Sequence, residues 1–422
     1  MVTFLLFGTF ALLIALKVPI AFAMGLACIV VALFSPSLTL TFIAQGLVTS
    51  TDSFALMAIP FFVLAGELMG KGGISRRLFN FINVFVGRFY GGTAMAAVIT
   101  CIFFAAISGS GPATVAAVGG MMIPMMISEG YDSRFTTVLL ATAGALGIII
   151  PPSIPLVLFG VGSGTSIGDL FKGGMIPGVF IGICLCIYVY FYSKKIGYRG
   201  NQEPFSLKRL KSSFIEAIWA ILVPIIILGG IYGGIFTPTE AAVVAVFYSL
   251  FVSVFIYREV KLSDLFTILC NAAGSSATIL IVIGTATTFG TIMSLERIPE
   301  AVAAGMLAIS SNPIIATLLI VVILLIVGMF MDTSAAVVIF TPILFPIAME
   351  VGINPVHFGI IMIVTLAIGF ITPPVGVNLF VAMNIGKTTM VQIFPYIIPF
   401  LLVCLAGLTV ILLVPQLTLF LV

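Results

Sequence analysis

Four short polar runs interrupt stretches that are otherwise apolar: "SGSGPAT" at 108–114, "PPSIP" at 151–155, "MDTSA" at 331–335 and "TPPVGVN" at 372–378. Proline inside a helix removes a backbone hydrogen bond and clashes with the preceding turn. Released carbonyls and hydroxyls are hard oxygen ligands suited to a cation such as Na⁺. The N-terminus of a resuming half-helix offers N–H groups to an anion. Pro112, Pro152 and Pro374 fall where a resuming helix tolerates proline, near its first turn. Asp332 is the one acid placed near mid-membrane, which makes it a functional candidate. Its neighbours Thr333 and Ser334 favour cation ligation, and N-capping of the returning helix or proton carriage stay open. Glu240 in "TPTE" reads as a capping box, Glu67 lies toward the end of its span, and His357 begins one. No Ser/His/Asp set, carboxylate pair or metal cluster supports an enzyme. "GKTT" at 386–389 lacks the upstream glycine of a phosphate loop, having Val381 there.

Such breaks need helices long enough to be broken. The 422 residues are 61% hydrophobic and 7% charged, against roughly 25% charged in soluble proteins. The apolar runs are continuous, as in "FIGICLCIYVYFY" at 180–192, so helices and not barrel strands cross the bilayer. The net charge of +3 invites no nucleic acid, and the six cysteines all fall in apolar segments without disulfide or zinc spacing. No basic n-region of a cleavable signal is visible at the start.

Spans are expected at 3–16, 18–35, 54–70, 173–193, 214–234, 238–257, 272–294 and 393–420, with interrupted segments at 93–128, 135–165, 312–350 and 356–385. "ISRRLFNFINVFVGRFY" at 74–90 reads as an amphipathic interfacial helix, with 262–271 as its weaker counterpart. A shift of 222 residues lays Pro151–Pro152 on Pro373–Pro374, Gly147 on Gly369, Pro124 on Pro346 and Gly130 on Gly352. Each half therefore reads as three spans, a re-entrant hairpin and a broken span. The odd number of crossings before the second copy inverts it. With both termini outside and ten crossings, 15 of the 17 Lys and Arg lie inside, and only Lys172 and Arg297 lie outside.

The expected fold class is an all-α polytopic membrane protein of two inverted repeats with re-entrant hairpins and broken helices. Its parts are scaffold spans and arm helix (1–92), hairpin and broken helix (93–170), linking span and cytoplasmic loop (171–213), second scaffold and arm (214–295), second hairpin and broken helix (296–390), and a C-terminal span (391–422).

The motifs "SGSGPATVAAVGGMMIPMM" (108–126), "GALGIIIPPSIPLVLFG" (144–160), "MDTSAAVVIFTPILFPIA" (331–348) and "IGFITPPVGVNLFVA" (368–382) resemble the large membrane subunit of TRAP transporters, the DctM-like permeases. The resemblance covers essentially the whole chain. It implies an elevator-type, sodium-driven importer of organic acid anions in the bacterial inner membrane, of the ion transporter superfamily. It implies two partners, a small Q-type membrane subunit and a periplasmic P-type binding protein. Carried over by position, one sodium site would use Ser108, Gly109 and Ser110 with carbonyls around Gly147 and Pro151. A second would use Asp332, Thr333 and Ser334 with Gly369 and Thr372. Substrate would sit near Pro112, Ser153, Ser334, Val375 and Asn378. The family's substrates include C4-dicarboxylates, sialic acid and other sugar or keto acids. The rival readings are an ion or anion channel and a proton-coupled carrier without a binding protein.

Overall fold

The computed structural model describes residues 2–35, 38–199, 206–309 and 312–422; residues 200–205 of the polar inter-half loop lie outside the described residues. The first half runs α1 (Val2–Ala15), α2 (Ile20–Phe34), α3 (Leu40–Thr49), a 3-10 turn leading into α4 (Ala58–Lys71), and α5 (Ile74–Val86). The first hairpin follows as α6 (Gly92–Ser108), α7 (Gly111–Thr114), a π turn and α8 (Gly120–Ser128). Then come α9 (Ser133–Ala145), a break, α10 (Ile154–Ser163) and the long α11 (Ile167–Ile196). The second half repeats the order: α12 (Leu207–Tyr232), α13 (Pro238–Phe251), α14 (Leu262–Leu295), α15 (Ile298–Ile309), the hairpin α16 (Pro313–Phe330) and α17 (Thr333–Glu350), then α18 (Pro355–Gly369), α19 (Val377–Gly386), α20 (Met390–Leu413) and the short α21 (Gln416–Leu419). Among the described residues, nine helical segments are long and apolar enough to cross a membrane. The protein is an all-α polytopic membrane protein.

The halves pack reciprocally. α2 lies on α14 while α13 lies on α4, and α10 lies on α17 while α19 lies on the π turn and α8. A two-fold relation produces this pattern of exchanged contacts. The position-by-position match extends beyond the sequence reading, because α11 and α20 occupy equivalent places after the two broken helices.

Three expectations need correction. Residues 262–271 are not a separate interfacial piece but the first turns of the 34-residue α14, which holds no proline. The element that matches α5 by position is α15, which follows α14 as α5 follows α4. α3, for which no element was expected, is a ten-residue helix capped by the Thr39 hydroxyl, which accepts from Phe42 N at 3.1 Å. α3 and α4 together match α14, broken at Ser50–Ser53 in the first half and continuous in the second.

Burial separates two kinds of helix. In α9, every residue from Phe135 to Ala145 is buried, and so is every residue of α18 from Val356 to Gly369. α14 buries one stripe and exposes Phe266, Leu269 and Ile281, and α2 likewise exposes Phe22 and Leu33. Apolar residues facing outward are what lipid selects. The broken helices thus form the centre and the unbroken ones a partly lipid-facing surround.

Candidate functional site

The first hairpin turns where Gly109, at φ +59, ends α6. Its carbonyl accepts from Ile154 N at 3.3 Å, so the tip rests on the 151–153 loop. A Cβ at residue 109 would lie 2.9 Å from the Pro152 carbonyl oxygen. Three oxygens cluster here. The Ser108 and Thr114 hydroxyls are 2.8 Å apart, and the Thr114 hydroxyl donates to the Ser110 carbonyl at 2.8 Å. Gly147 packs directly beneath them, since a Cβ there would stand 2.5 Å from Thr114 Oγ1 and 2.6 Å from the Ser110 oxygen. The Pro151–Pro152 and Pro373–Pro374 bonds are both cis. Pro152 and Pro374 lie in the break loops, before α10 and α19, rather than in the first turn of the resuming helix. Pro112 does sit in the first turn of α7.

The second tip has a different chemistry. Asp332 caps α17, its Oδ1 accepting from Ser334 N at 2.8 Å, and its residue surface is exposed. Thr333 Oγ1 is buried with no hydrogen-bond partner among the described residues. Gly369 meets Gly328 of α16 so closely that a Cβ would stand 2.5 Å from the Gly328 Cα. The Thr372 hydroxyl donates to the Ile368 carbonyl at 2.7 Å. The two break loops differ in exposure. Pro151, Pro152 and Ser153 are buried, whereas Thr372, Pro373 and Val375 are half-buried and Pro374 is exposed. The first loop is covered by its own hairpin tip, as the Gly109–Ile154 bond records.

Both tips border one cavity of about 320 Å³. Gly109, Ser110 and Pro112 line it from the first tip, and Asp332, Thr333 and Ser334 from the second. Ile148, Ile154, Pro155 and Phe370 supply apolar wall. The starts of α7 and α17 therefore border the same space, with Ala113 N and Ser334 N taken by the Ser110 and Asp332 caps. Ser108, Gly147, Pro151, Gly369, Thr372 and Val375 are not among its lining residues, and Ser108 lines the adjoining cavity. Ser153 is fully buried, donating to the Ile148 carbonyl at 2.6 Å and capping α10 at Leu156 N, so its hydroxyl is turned inward. Asn378 is also fully buried; its Nδ2 donates to the Ala141 carbonyl at 3.0 Å, and its Oδ1 has no partner and lies against Gly111. A side chain from the second broken helix thus reaches the first hairpin.

Sequence reasoning missed Ser275 and Thr278, which line the cavity from α14. The signal was "GSSAT" at 274–278, a polar run inside an apolar helix. The Thr278 hydroxyl donates to its own helix at the Gly274 carbonyl, 3.0 Å away, whereas the Ser275 hydroxyl has no hydrogen bond among the described residues.

The base of α9 is anchored outside the spanning segments. The Arg134 guanidinium beside Asp132 holds its carboxyl down at about 2. Asp132 Oδ2 also accepts from the Tyr396 hydroxyl at 2.9 Å, Asp132 N donates to the Tyr198 hydroxyl, and the Ser133 hydroxyl donates to the Gly386 carbonyl. These bonds tie the start of α9 to the turn after α11, to α19 and to α20.

Two hairpin tips and two broken helices gathered around one cavity, within an apolar helical body, are an arrangement suited to a membrane permease. The chain belongs to the DctM family, described as "Tripartite ATP-independent periplasmic transporter, DctM component", whose model matches residues 7–417. It is 48% identical over 415 residues to the isethionate TRAP transporter permease protein DctMQ of Oleidesulfovibrio alaskensis, covering 98% of this chain and 65% of that protein. It is 40% identical over 398 residues to the C4-dicarboxylate TRAP transporter large permease protein DctM of Pseudomonas aeruginosa, covering 94% of this chain and 93% of the relative. The fold is similar to that of the YdaH transporter of Alcanivorax borkumensis, with a TM-score of 0.65, 14% identity and 88% of each chain covered. The relatives are permeases, and this chain is a transporter component of a bacterial membrane and not an enzyme.

Proposed function

We propose that the chain is the large permease subunit of a sodium-coupled importer of organic acid anions. Its substrate is a C4-dicarboxylate, a sulfonate such as isethionate, sialic acid or a related sugar or keto acid. The observation that carries this is the lining of the tip-to-tip cavity. Two helix starts and the hydroxyls of Ser110, Ser275 and Ser334 suit an anion, yet no Lys, Arg or His is among the lining residues. Asp332 puts a carboxylate on the same wall, which repels an anion until a cation neutralises it. Binding of both is then mutually favourable, which is the thermodynamic form of symport.

The cation positions that fit are the Ser108, Ser110 and Thr114 oxygens at the first tip and the Asp332 and Thr333 oxygens at the second. The buried, unpartnered Thr333 hydroxyl supports the second, because such a group costs about 1–3 kcal/mol unless a ligand takes it. The hairpins and broken helices move as one body against the lipid-facing helices, and both termini lie outside the cytoplasm. A small membrane subunit and a periplasmic binding protein complete the assembly.

Co-reconstitution with those partners tests the reading. Uptake of labelled acids is measured with and without an inward Na⁺ gradient. The expected result is uptake of at least one acid that needs the gradient. Equal uptake without it overturns sodium coupling, and failure of every acid overturns the substrate class.

A further inference from the structure

A second cavity of about 320 Å³ continues from the first, sharing the lining residues Ser110, Ile154, Ser275 and Ile279. It runs between α4 and the return arm of the first hairpin, toward the end of α4, where Glu67 and Lys71 stand one turn apart. Its walls there are smooth, formed by Gly66, Gly70, Ala113, Ala116 and Ala117.

Glu67 and Lys71 have the spacing of a helix ion pair, yet neither side chain makes a hydrogen bond or ion pair among the described residues. Glu67 is half-buried and lines the passage with the Ser108 and Ser110 tip residues. An uncommitted carboxylate there has no structural partner to explain it. Lys71 is exposed at the end of the helix, on the side where the Lys and Arg distribution places the cytoplasm.

We infer that this passage is the cytoplasmic vestibule of the central cavity, in which Glu67 receives the departing cation and Lys71 the departing organic anion. Opposite charges on one wall let both ions enter without raising the net charge of a narrow apolar passage. Beside the cavity the small residues let α4 and the hairpin approach closely, a Cβ at Gly70 standing 3.7 Å from the Ala117 Cβ, so no bulky side chain from the hairpin covers Glu67. The inference rests on the sodium-coupled import proposed above.

The test uses the complete assembly in proteoliposomes of known orientation, with Na⁺ and substrate titrated separately on each face. Glu67→Gln is expected to raise the cytoplasmic-side Na⁺ half-saturation about fivefold, and Lys71→Gln that of the anion by a similar factor, as loss of one charge–ion contact in a wet passage implies. Outer-face values and the final accumulation ratio should stay at wild type, and Glu67→Asp should restore the Na⁺ value. A merely structural role would move both faces together. Ala117→Glu, on the opposite wall, adds an acid and should lower the cytoplasmic-side Na⁺ half-saturation. Unchanged cytoplasmic-side values in the neutral variants, or equal changes on both faces, overturn the vestibule while leaving sodium-coupled import intact. Absence of sodium-driven uptake in the wild type overturns both.

Discussion

Gly147→Ala is the substitution whose effect follows most directly from the geometry. The new methyl would stand 2.5 Å from Thr114 Oγ1, 2.6 Å from the Ser110 carbonyl oxygen and 2.9 Å from its carbon, whereas ordinary contact begins at 3.4 Å. The Ser110 atoms are backbone, so no side-chain rotation removes the clash. The tip must retreat by roughly 0.8 Å, or the α9 end must move away from it. Overpacking of this kind costs about 1–3 kcal/mol. If the cation uses the Ser110 carbonyl and the Thr114 hydroxyl, that cost falls on the bound state, and the Na⁺ half-saturation of uptake should rise about 5- to 150-fold. Gly120→Ala is the control, because a Cβ there meets nothing within 4 Å and alanine is the better helix former. Sodium titration of uptake in proteoliposomes, with thermal unfolding of the same samples, separates binding from folding. A Gly147→Ala protein with wild-type Na⁺ half-saturation would show that these oxygens hold no ion.

Three further outcomes are expected. Thr333→Val removes a buried hydroxyl that has no partner, so thermal stability without sodium should hold or rise by up to about 1 kcal/mol while sodium-dependent stabilisation falls; loss of stability with sodium response intact would refute the ligand role. Ser153→Ala deletes the cap of α10 and its bond to Ile148, which should cost about 1 kcal/mol in thermal unfolding without altering substrate half-saturation. Reduced substrate affinity at unchanged stability would instead make Ser153 a ligand. Asp132 has a depressed carboxyl, so its tie to Arg134 is fully present above the ordinary carboxylate pKa of about 4 and is lost only as pH falls through about 2. Asp132→Asn should therefore lower thermal stability by a constant amount from about pH 5 to 8, and a deficit that varies across that range would contradict the assignment.

The breaks were legible because Pro-Pro pairs, glycines and polar residues have few other reasons to occur in long apolar runs. Their recurrence at one spacing made the two-fold relation legible too. α3 escaped because ten residues are too few for a span, and length was the criterion applied. The 262–271 segment was misread because its polar start resembles an interfacial helix, although nothing in Leu262–Leu295 stops the helix from continuing. Residue type also could not say which way a hydroxyl points. Ser153 and Ser110 both cap a helix that follows a break, yet one is turned into the protein and the other lines the cavity. Ser275 and Thr278 are hard to single out from sequence, because hydroxyls in a membrane helix commonly bond their own backbone, as Thr278 does.

Asp332 is where capping and ion binding make opposite predictions. Asparagine caps a helix as well as aspartate does, so Asp332→Asn keeps the bond to Ser334 N and removes only the charge. The decisive measurement is uptake driven by a sodium gradient in the reconstituted assembly carrying this single change. Near-complete loss of uptake, with thermal stability and partner binding at wild type, is the predicted result. Wild-type uptake with unchanged sodium dependence would contradict the central claim, leaving Asp332 a cap and the second tip without its cation.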